Sequence, residues 1–182
     1  MKELSLNILD ITENSVKAGA SLTEILLEET EETLTIVISD NGCGMSEEIV
    51  KGVVNPFYTT RTTRKVGLGL PLLKMAAEQT GGSMTVESKS REEYPENSGT
   101  TVKAVFSKQH IDFTPLGDII STMVTLIQGH PDTDFHFSHK IGGKGVELDT
   151  RQLREVLEDV PLNSYEVISW VSEYLGEQYE NI

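Results

Sequence analysis

The stretch from Asp40 to Leu70, DNGCGMSEEIVKGVVNPFYTTRTTRKVGLGL, contains two glycine-rich turns that decide how the chain folds. The first turn follows the strand-like run LTIVIS and places the Asp40 carboxylate where Gly42 and Gly44 let the backbone bend sharply. Such a turn offers a flat ligand a fixed hydrogen-bond acceptor and room to approach. Taken alone, DNGCG has a plainer interpretation, a loop turn with Asn and Gly at positions of positive φ.

The second turn, Gly67 to Leu70, leads directly into LPLLKMAAEQT, whose apolar periodicity predicts a helix. Glycines that open a helix present unpaired N–H groups at the positive end of the helix dipole, which is a common way to hold phosphate. The two turns together therefore predict a ligand with a base at one end and a phosphate chain at the other.

The N-terminal segment predicts a helix from about Lys2 to Ala18, ended by Gly19. At about 100° per residue, four polar side chains share one face within roughly 80°, beside an apolar stripe. The polar set is Asn7, Asp10, Asn14 and Lys17, and the apolar stripe is Leu4, Ile8 and Ile11. A solvated face of a surface helix would give the same pattern. Asn is a poor helix former, however, and the Asn14 amide oxygen could hold a divalent cation beside a phosphate.

These blocks resemble the GHKL superfamily, the ATP-binding fold of sensor histidine kinases, type II topoisomerases, a major chaperone and mismatch-repair ATPases. ITENSVKAGA resembles the N box, DNGCGM the first glycine box, NPFYTTR the F box and VGLGLPLLKMAAEQTGGSM the second glycine box, while SGTTVKAVF resembles the closing strand. The match runs from about residue 4 to residue 107 in the right order. It implies an α+β Bergerat fold, a two-layer α/β sandwich with helices on one face of a mixed, mostly antiparallel sheet.

The resemblance also implies a role for each matching residue, with ATP and Mg²⁺ as the cofactors. Asp40 would accept a hydrogen bond from the adenine amino group, Thr100 would support the waters around the base, and Met45 would pack on it. Asn14 would coordinate the Mg²⁺ that bridges the phosphates. The remaining nucleotide contacts would come from the glycine boxes and from an ATP lid spanning Thr59 to Val66: Gly42, Gly44, Thr59, Thr60, Arg61, Gly67, Leu68, Gly69 and Leu70.

Two residues of the N-terminal helix, Asp10 and Lys17, are the candidate catalytic groups. Hydrolytic members carry a glutamate four residues before the N-box asparagine, and here that position is Asp10, one methylene shorter. Histidine kinases instead carry a basic residue three positions after the asparagine, where this chain has Lys17. The phrase ENSVKAGA is also similar to the mismatch-repair box, but Glu13 projects away from the polar face and is better explained as a solvated charge.

Composition limits the possible partners. The chain of 182 residues has 29 acidic and 15 basic side chains, a formal net charge of −14 at pH 7, which argues against general affinity for nucleic acid or anionic membranes. Arg61, Arg64 and Lys65 cluster in the predicted lid, as expected of a phosphate-facing loop. One cysteine, Cys43, cannot form an internal disulfide, and the sequence shows no signal peptide or long apolar run, so we expect a cytoplasmic protein.

We expect residues 1–108 to form a histidine-kinase-like ATP-binding domain and residues 109–182 a small C-terminal α+β extension of unassigned role. The extension predicts a helix, two short strands around a Gly-Gly turn, and two more helices, the last opening with a possible capping box at residues 163–166. Its histidines suggest a metal site or a phosphoacceptor, although polar loop residues explain them better, and in a strand His136 and His139 would point to opposite faces.

The leading functional hypothesis is a free-standing Mg·ATP-binding protein, similar to the catalytic domain of sensor histidine kinases, that acts in trans on a partner protein. It would act by phosphoryl transfer or by ATP-driven lid closure. We expect a separate partner because the given sequence begins close to the N box, with no preceding helical hairpin that carries a phosphoacceptor histidine. Two alternatives stay open, a non-catalytic nucleotide-sensing module and a dimerising ATPase of the mismatch-repair type. The oligomeric state is not decided by the sequence.

Overall fold

A computed structural model describes residues 2–55 and 68–182. Within these ranges the chain forms helices on one face of a six-stranded sheet. In chain order the elements are α1 (Leu4–Lys17), β1 (Leu22–Glu29), β2 (Thr33–Asp40), α2 (Glu47–Val53), α3 (Gly69–Gln79), β3 (Ser83–Lys89), β4 (Gly99–Ser107), α4 (Ile119–Gly129), β5 (Asp134–Ile141), β6 (Lys144–Asp149), α5 (Thr150–Leu157) and α6 (Tyr165–Glu180).

The strand order in the sheet is β3-β4-β2-β1-β5-β6. All neighbouring pairs are antiparallel except β1 and β5, which run parallel from the Leu22–Asp134 pair to the Glu29–Ile141 pair. This arrangement confirms the predicted α+β class with a mixed, mostly antiparallel sheet. Alternate apolar residues of the central strands face the helices, as the period-2 pattern predicts.

Residues after 108 extend the same sheet. The segment predicted as two strands around a Gly-Gly turn forms β5 and β6, and β5 pairs along the whole length of β1. Helices α4 and α6 pack on each other, and their buried side chains belong to the same hydrophobic core as those of α1 and α3. The residues after 108 thus share one sheet and one core with residues 1–108. The predicted domain boundary at residue 108 follows the end of β4 and stays a prediction.

Side-chain capping hydrogen bonds mark the starts of α2, α4 and α5. Ser46, which precedes two glutamates, is the N-cap of α2 and accepts a hydrogen bond from the Ile49 N–H. The capping box predicted at residues 163–166 is wrong, because Ser164 is the N-cap of α6 and its hydroxyl makes no capping hydrogen bond. None of the helices formed by the described residues combines the length and apolarity needed to cross a bilayer.

Candidate functional site

A cavity of about 220 Å³ opens between α1, the loop after β2 and the start of α3. Its walls are mainly apolar, with Ile38 and Val102 from the sheet and Met45 from the loop. The polar groups come from α1 and from the ends of two paired strands, and they are Asn14, Ser15, Lys17, Asp40 and Thr100. An apolar cleft with a few convergent polar groups is the usual form of a small-ligand site.

Asp40 is held by two hydrogen bonds at the end of β2. Its Oδ1 accepts from the backbone N–H of Gly42 at 2.9 Å, and its Oδ2 accepts from the hydroxyl of Ser15 at 2.7 Å. Ser15 is buried on the α1 face that packs on the sheet, so the second bond joins helix and strand. The carboxylate therefore has a set orientation, and its remaining acceptor capacity is available at the cavity that it lines.

A second hydrogen-bonded cluster supports the wall next to Asp40, whose partner on β4 is Thr100. The Ser88 hydroxyl accepts from the Met45 N–H at 2.7 Å, donates to the Gly99 carbonyl at 3.1 Å, and lies 2.8 Å from the Thr100 hydroxyl. Ser88 thus fixes both Met45 and Thr100, the two residues expected beside the base. Ser88 was not predicted from the sequence, because its role depends on the β3–β4 register, which pairs it with Thr100.

Two glycines make the close packing of this wall possible. Gly44 has φ of +66°, and a Cβ there would overlap the carbonyl of Lys89. Gly99 has φ of +150°, and a Cβ there would overlap the carbonyl of Asp40. Gly44 was predicted from its spacing, whereas Gly99 was not among the candidate residues, because its contact partner lies about sixty positions away along the chain.

The predicted phosphate end lies where α1 meets α3. Leu68 is the N-cap of α3, is 58% exposed, and supplies no side-chain cap to the first turn. A Cβ added at Gly69 would lie 3.2 Å from the Asp10 Cβ, so Asp10 sits beside the start of α3. Leu70 lines the cavity, but Asp10 does not. The uncapped helix start therefore leaves backbone N–H donors near the cavity, which suits an anionic group.

Some predicted residues fall elsewhere. Thr59, Thr60, Arg61, Gly67 and the predicted lid lie outside the described residues. Glu13 does not project alone into solvent, because its Oε1 lies 2.9 Å from Nε2 of His130 at the end of α4.

The histidines of β5 occupy opposite faces, as expected for a strand. His139 is buried, with Nδ1 2.7 Å from the Tyr179 hydroxyl and Nε2 3.1 Å from Glu29. His136 lies on the other face between Glu24 and Glu147. Within residues 2–55 and 68–182, no group of three or more His, Cys, Asp or Glu side chains is arranged to hold a metal ion.

Comparison with known proteins identifies the family. Residues 2–110 match the family model described as "Histidine kinase-, DNA gyrase B-, and HSP90-like ATPase". The chain belongs to this ATPase family. The matched range contains every residue that lines the cavity, so the site lies within the family's ATPase domain.

Curated relatives of this ATPase family member include sensor histidine kinases. The sensor histidine kinase YvrG of Bacillus subtilis is 33% identical over 102 residues, covering 53% of this chain and 17% of the relative. The tetrathionate sensor histidine kinase TtrS of Salmonella typhimurium is 31% identical over 100 residues, covering 54% of this chain and 16% of the relative. The chain thus spans about a sixth of the length of these relatives.

Solved structures share the fold over a larger share of the chain. The N-terminal domain of a DNA repair protein aligns with a TM-score of 0.54 at 18% identity, covering 82% of this chain and 53% of that one. The Aquifex aeolicus MutL ATPase domain complexed with ADP aligns with a TM-score of 0.53 at 14% identity, covering 87% of this chain and 70% of that one. Because these alignments cover more of the chain than the family model does, they include residues after 110.

The family resemblance implies Mg²⁺, and the donor set on α1 fits it. Asn14 lines the cavity, and its amide forms no hydrogen bond to any residue of the described ranges. A neutral amide oxygen is a hard ligand of the kind Mg²⁺ accepts alongside phosphate oxygens and water. With no carboxylate cage among the described residues, Asn14 would supply the protein's ligand and a nucleotide the others.

Proposed function

We propose that this chain binds Mg·ATP in the cavity between α1 and the sheet and acts on a separate protein partner. The action would be transfer of the γ-phosphoryl group or a response to ATP-driven closure of the segment between α2 and α3. The single observation that supports the proposal best is that Asn14 and Asp40 line one cavity, with Asp40 held by Ser15 and Gly42. The solitary Cys43 agrees with a reducing, cytoplasmic setting.

The fixed Asp40 carboxylate would select the base. Adenine carries an exocyclic amino group that donates to a carboxylate, whereas guanine carries a carbonyl oxygen at the same position and would be repelled. Unpaired polar groups in a half-buried site reject the wrong partner strongly. ATP should therefore bind more tightly than GTP, with discrimination that depends on Asp40.

The other end of the cavity would hold the phosphates. Backbone N–H groups at the start of α3, the exposed ammonium of Lys17 and the amide of Asn14 would together face the anionic chain. Asn14 would hold Mg²⁺ beside the phosphates, and the ion would supply positive charge that offsets the negative charge developing during transfer. The partner's side chain would be the nucleophile, and Asp10 beside the start of α3 would be the proton acceptor.

Nucleotide binding by Asp40→Asn tests the proposal. We expect the affinity for Mg·ATP, measured by calorimetry, to fall by about a hundredfold. An Asn side chain lacks the negative charge that strengthens the hydrogen bond accepted from the adenine amino group. Asp132→Asn is the matched control, since Asp132 is exposed in the turn before β5. Equal ATP affinity in Asp40→Asn and the parent would reject the site.

A second candidate function is a dimerising ATPase of the mismatch-repair type. The observation that favours it is the shared fold with the MutL ATPase domain over 87% of the chain. Light scattering with and without a nonhydrolysable ATP analogue separates the two, because only the clamp mechanism requires a nucleotide-dependent dimer. A third outcome, tight ATP binding with no ADP formation and no phosphoryl transfer, would favour the non-catalytic sensing module.

A further inference from the structure

Helix α6 carries an exposed aromatic pair. The rings of Trp170 and Tyr174 stack with centroids 4.6 Å apart and an interplanar angle of 13°. Trp170 is 45% exposed and Tyr174 is 36% exposed, although each is large enough to contribute substantially to a core. The two residues are one helical turn apart, so they form a continuous aromatic surface.

Three carboxylates surround this pair. Glu166, Glu173 and Glu177 are exposed and lie three or four positions from Trp170 or Tyr174, so all five side chains share one face of α6. This face is called the acidic aromatic face below. Glu173 and Glu177 are one turn apart, a spacing at which like charges oppose helix stability.

No basic side chain offsets these charges. Residues 155–182 contain seven acidic residues and no Lys, Arg or His. Some carboxylates elsewhere in the described chain have local cationic partners, as in the pairs of Glu47 with Lys51, Glu78 with Lys74 and Asp134 with Arg154. Glu166, Glu173 and Glu177 form no ion pair with any residue in the described ranges.

The acidic aromatic face is rigidly presented. Val167, Val171 and Leu175 on the opposite side of α6 are buried in the core. The Gln178 side chain pairs with the backbone of Glu147 on the edge strand β6, accepting from its N–H and donating to its carbonyl, each at 3.0 Å. A helix fixed in this way loses little conformational entropy when a partner covers its outer face.

We propose that the acidic aromatic face is a docking surface for an arginine-bearing basic segment of a partner protein. Guanidinium groups stack on Trp and Tyr rings and also pair with carboxylates, so one arginine-rich segment would satisfy both features of the face. In protein interfaces, Trp and Tyr side chains from which water is excluded contribute much of the binding energy. A second copy of this chain, nucleic acid or an anionic membrane would instead be repelled by the glutamates.

The acidic aromatic face and the cavity lie toward opposite edges of the sheet. Helix α6 packs on β6 and α4, at the opposite edge of the sheet from β3 and β4. Docking there would leave the mouth of the cavity open, so the inference does not rest on the proposed nucleotide function. Binding is expected with and without Mg·ATP.

Trp170 is the single tryptophan of the chain and reports directly on the face. The test titrates the full chain with an oligo-arginine peptide, an oligo-lysine peptide of equal length and an oligo-glutamate peptide, following Trp170 emission and calorimetry. We expect oligo-arginine to change the emission and to bind more tightly than oligo-lysine, and oligo-glutamate not to bind.

Matched double variants decide whether the face is specific. Glu173→Gln with Glu177→Gln should weaken oligo-arginine binding about tenfold. Glu92→Gln with Glu93→Gln removes the same charge from an exposed loop between β3 and β4 and should leave the affinity within about twofold of the parent. Trp170→Leu, which keeps all charges, should also weaken binding.

Three results would overturn the inference. Equal weakening by the two double variants would mean diffuse attraction to an acidic protein. Unchanged Trp170 emission at saturating oligo-arginine would place the peptide elsewhere. Dimerisation of the parent that Trp170→Leu abolishes would identify a second copy of the chain as the occupant.

Discussion

The Ser15 hydroxyl donates a 2.7 Å hydrogen bond to Oδ2 of Asp40, across 25 positions of sequence. Ser15 follows Asn14 on α1, so the helix that presents the proposed magnesium ligand also orients the proposed base acceptor. Any shift of α1 relative to β2 would disturb both ends of the cavity at once. The relationship makes Ser15 a positioning residue whose effect can be measured.

Ser15→Ala should weaken Mg·ATP binding about tenfold, equivalent to ~1.4 kcal/mol, because a hydrogen bond to a charged group is lost from a largely buried position. Calorimetric titration measures this loss of Mg·ATP affinity. Ser39→Ala is the control, since the Ser39 hydroxyl bonds Thr101 on the outer face of the same strand pair. If Ser15→Ala bound ATP as the parent does while Asp40→Asn did not, Asp40 would not need the helix for its orientation.

Gly44→Ala should destabilise the fold by about 3 kcal/mol, since the new Cβ meets backbone that cannot rotate away and φ is positive. Gly81→Ala is the matched control. Gly81 also has positive φ, but a Cβ there meets nothing within 4 Å, so only the backbone cost of about 1 kcal/mol applies. Chemical denaturation compares the two, and equal losses would show that close packing on Lys89 is unimportant.

His139 should make stability rise with pH. Burial lowers the pKa of His139 below its ordinary value, although hydrogen bonding to Glu29 opposes this effect. Just below about pH 6.5 the unfolded chain therefore binds a proton that the folded chain does not. The difference in unfolding free energy between parent and His139→Gln should increase as pH is raised toward this value. A difference independent of pH would contradict the buried neutral imidazole.

His136 should act in the opposite direction. Burial opposes its protonation, but hydrogen bonds to Glu147 and Glu24 outweigh this and raise the pKa of His136. Its stabilising effect is therefore present below about pH 6.5 and is lost as pH rises through the raised value. The difference between parent and His136→Gln should shrink with rising pH, so each histidine variant is the control for the other. If the two differences in unfolding free energy changed with pH in the same direction, the opposite pKa shifts of His136 and His139 would be refuted.

Asp10→Asn should leave ATP affinity unchanged, because Asp10 is exposed and does not line the cavity. If Asp10 accepts a proton during the reaction, ADP formation in a single turnover should fall by about a hundredfold. Asp132→Asn again serves as the control. Full activity of Asp10→Asn would remove it from the mechanism, and a parent that forms no ADP would favour nucleotide sensing.

Short-range patterns predicted much of the site. Asn14, Lys17, Asp40, Gly44 and Met45 lie in two short segments, and the structure brings them to one cavity with Leu70 and Thr100. Helix periodicity placed Asn14 and Lys17 on one face, whereas Met45 and Thr100 came from the resemblance to the ATPase superfamily. Ser88, Gly99 and Ser15 were not predicted, because their roles exist only once two distant segments are in register.

The C-terminal residues show the same division. Alternation predicted two strands and periodicity predicted three helices, but neither predicted that β5 would add in parallel to β1. Parallel pairing leaves no local signature, since a strand reads the same whichever neighbour it joins. The hydrogen bond between Glu13 and His130 is likewise a consequence of α4 packing on α1.

By itself, the sequence determined the class of fold, the ATPase family and the short segments that form the cavity, because these depend on spacing along a few turns of chain. Tertiary structure alone decided which hydroxyl orients Asp40, which glycines must lack a side chain, how the last seventy residues complete the sheet, and which face of α6 stays uncovered. Those features depend on contacts between residues far apart in sequence, and such contacts are set by packing and strand register rather than by local preference.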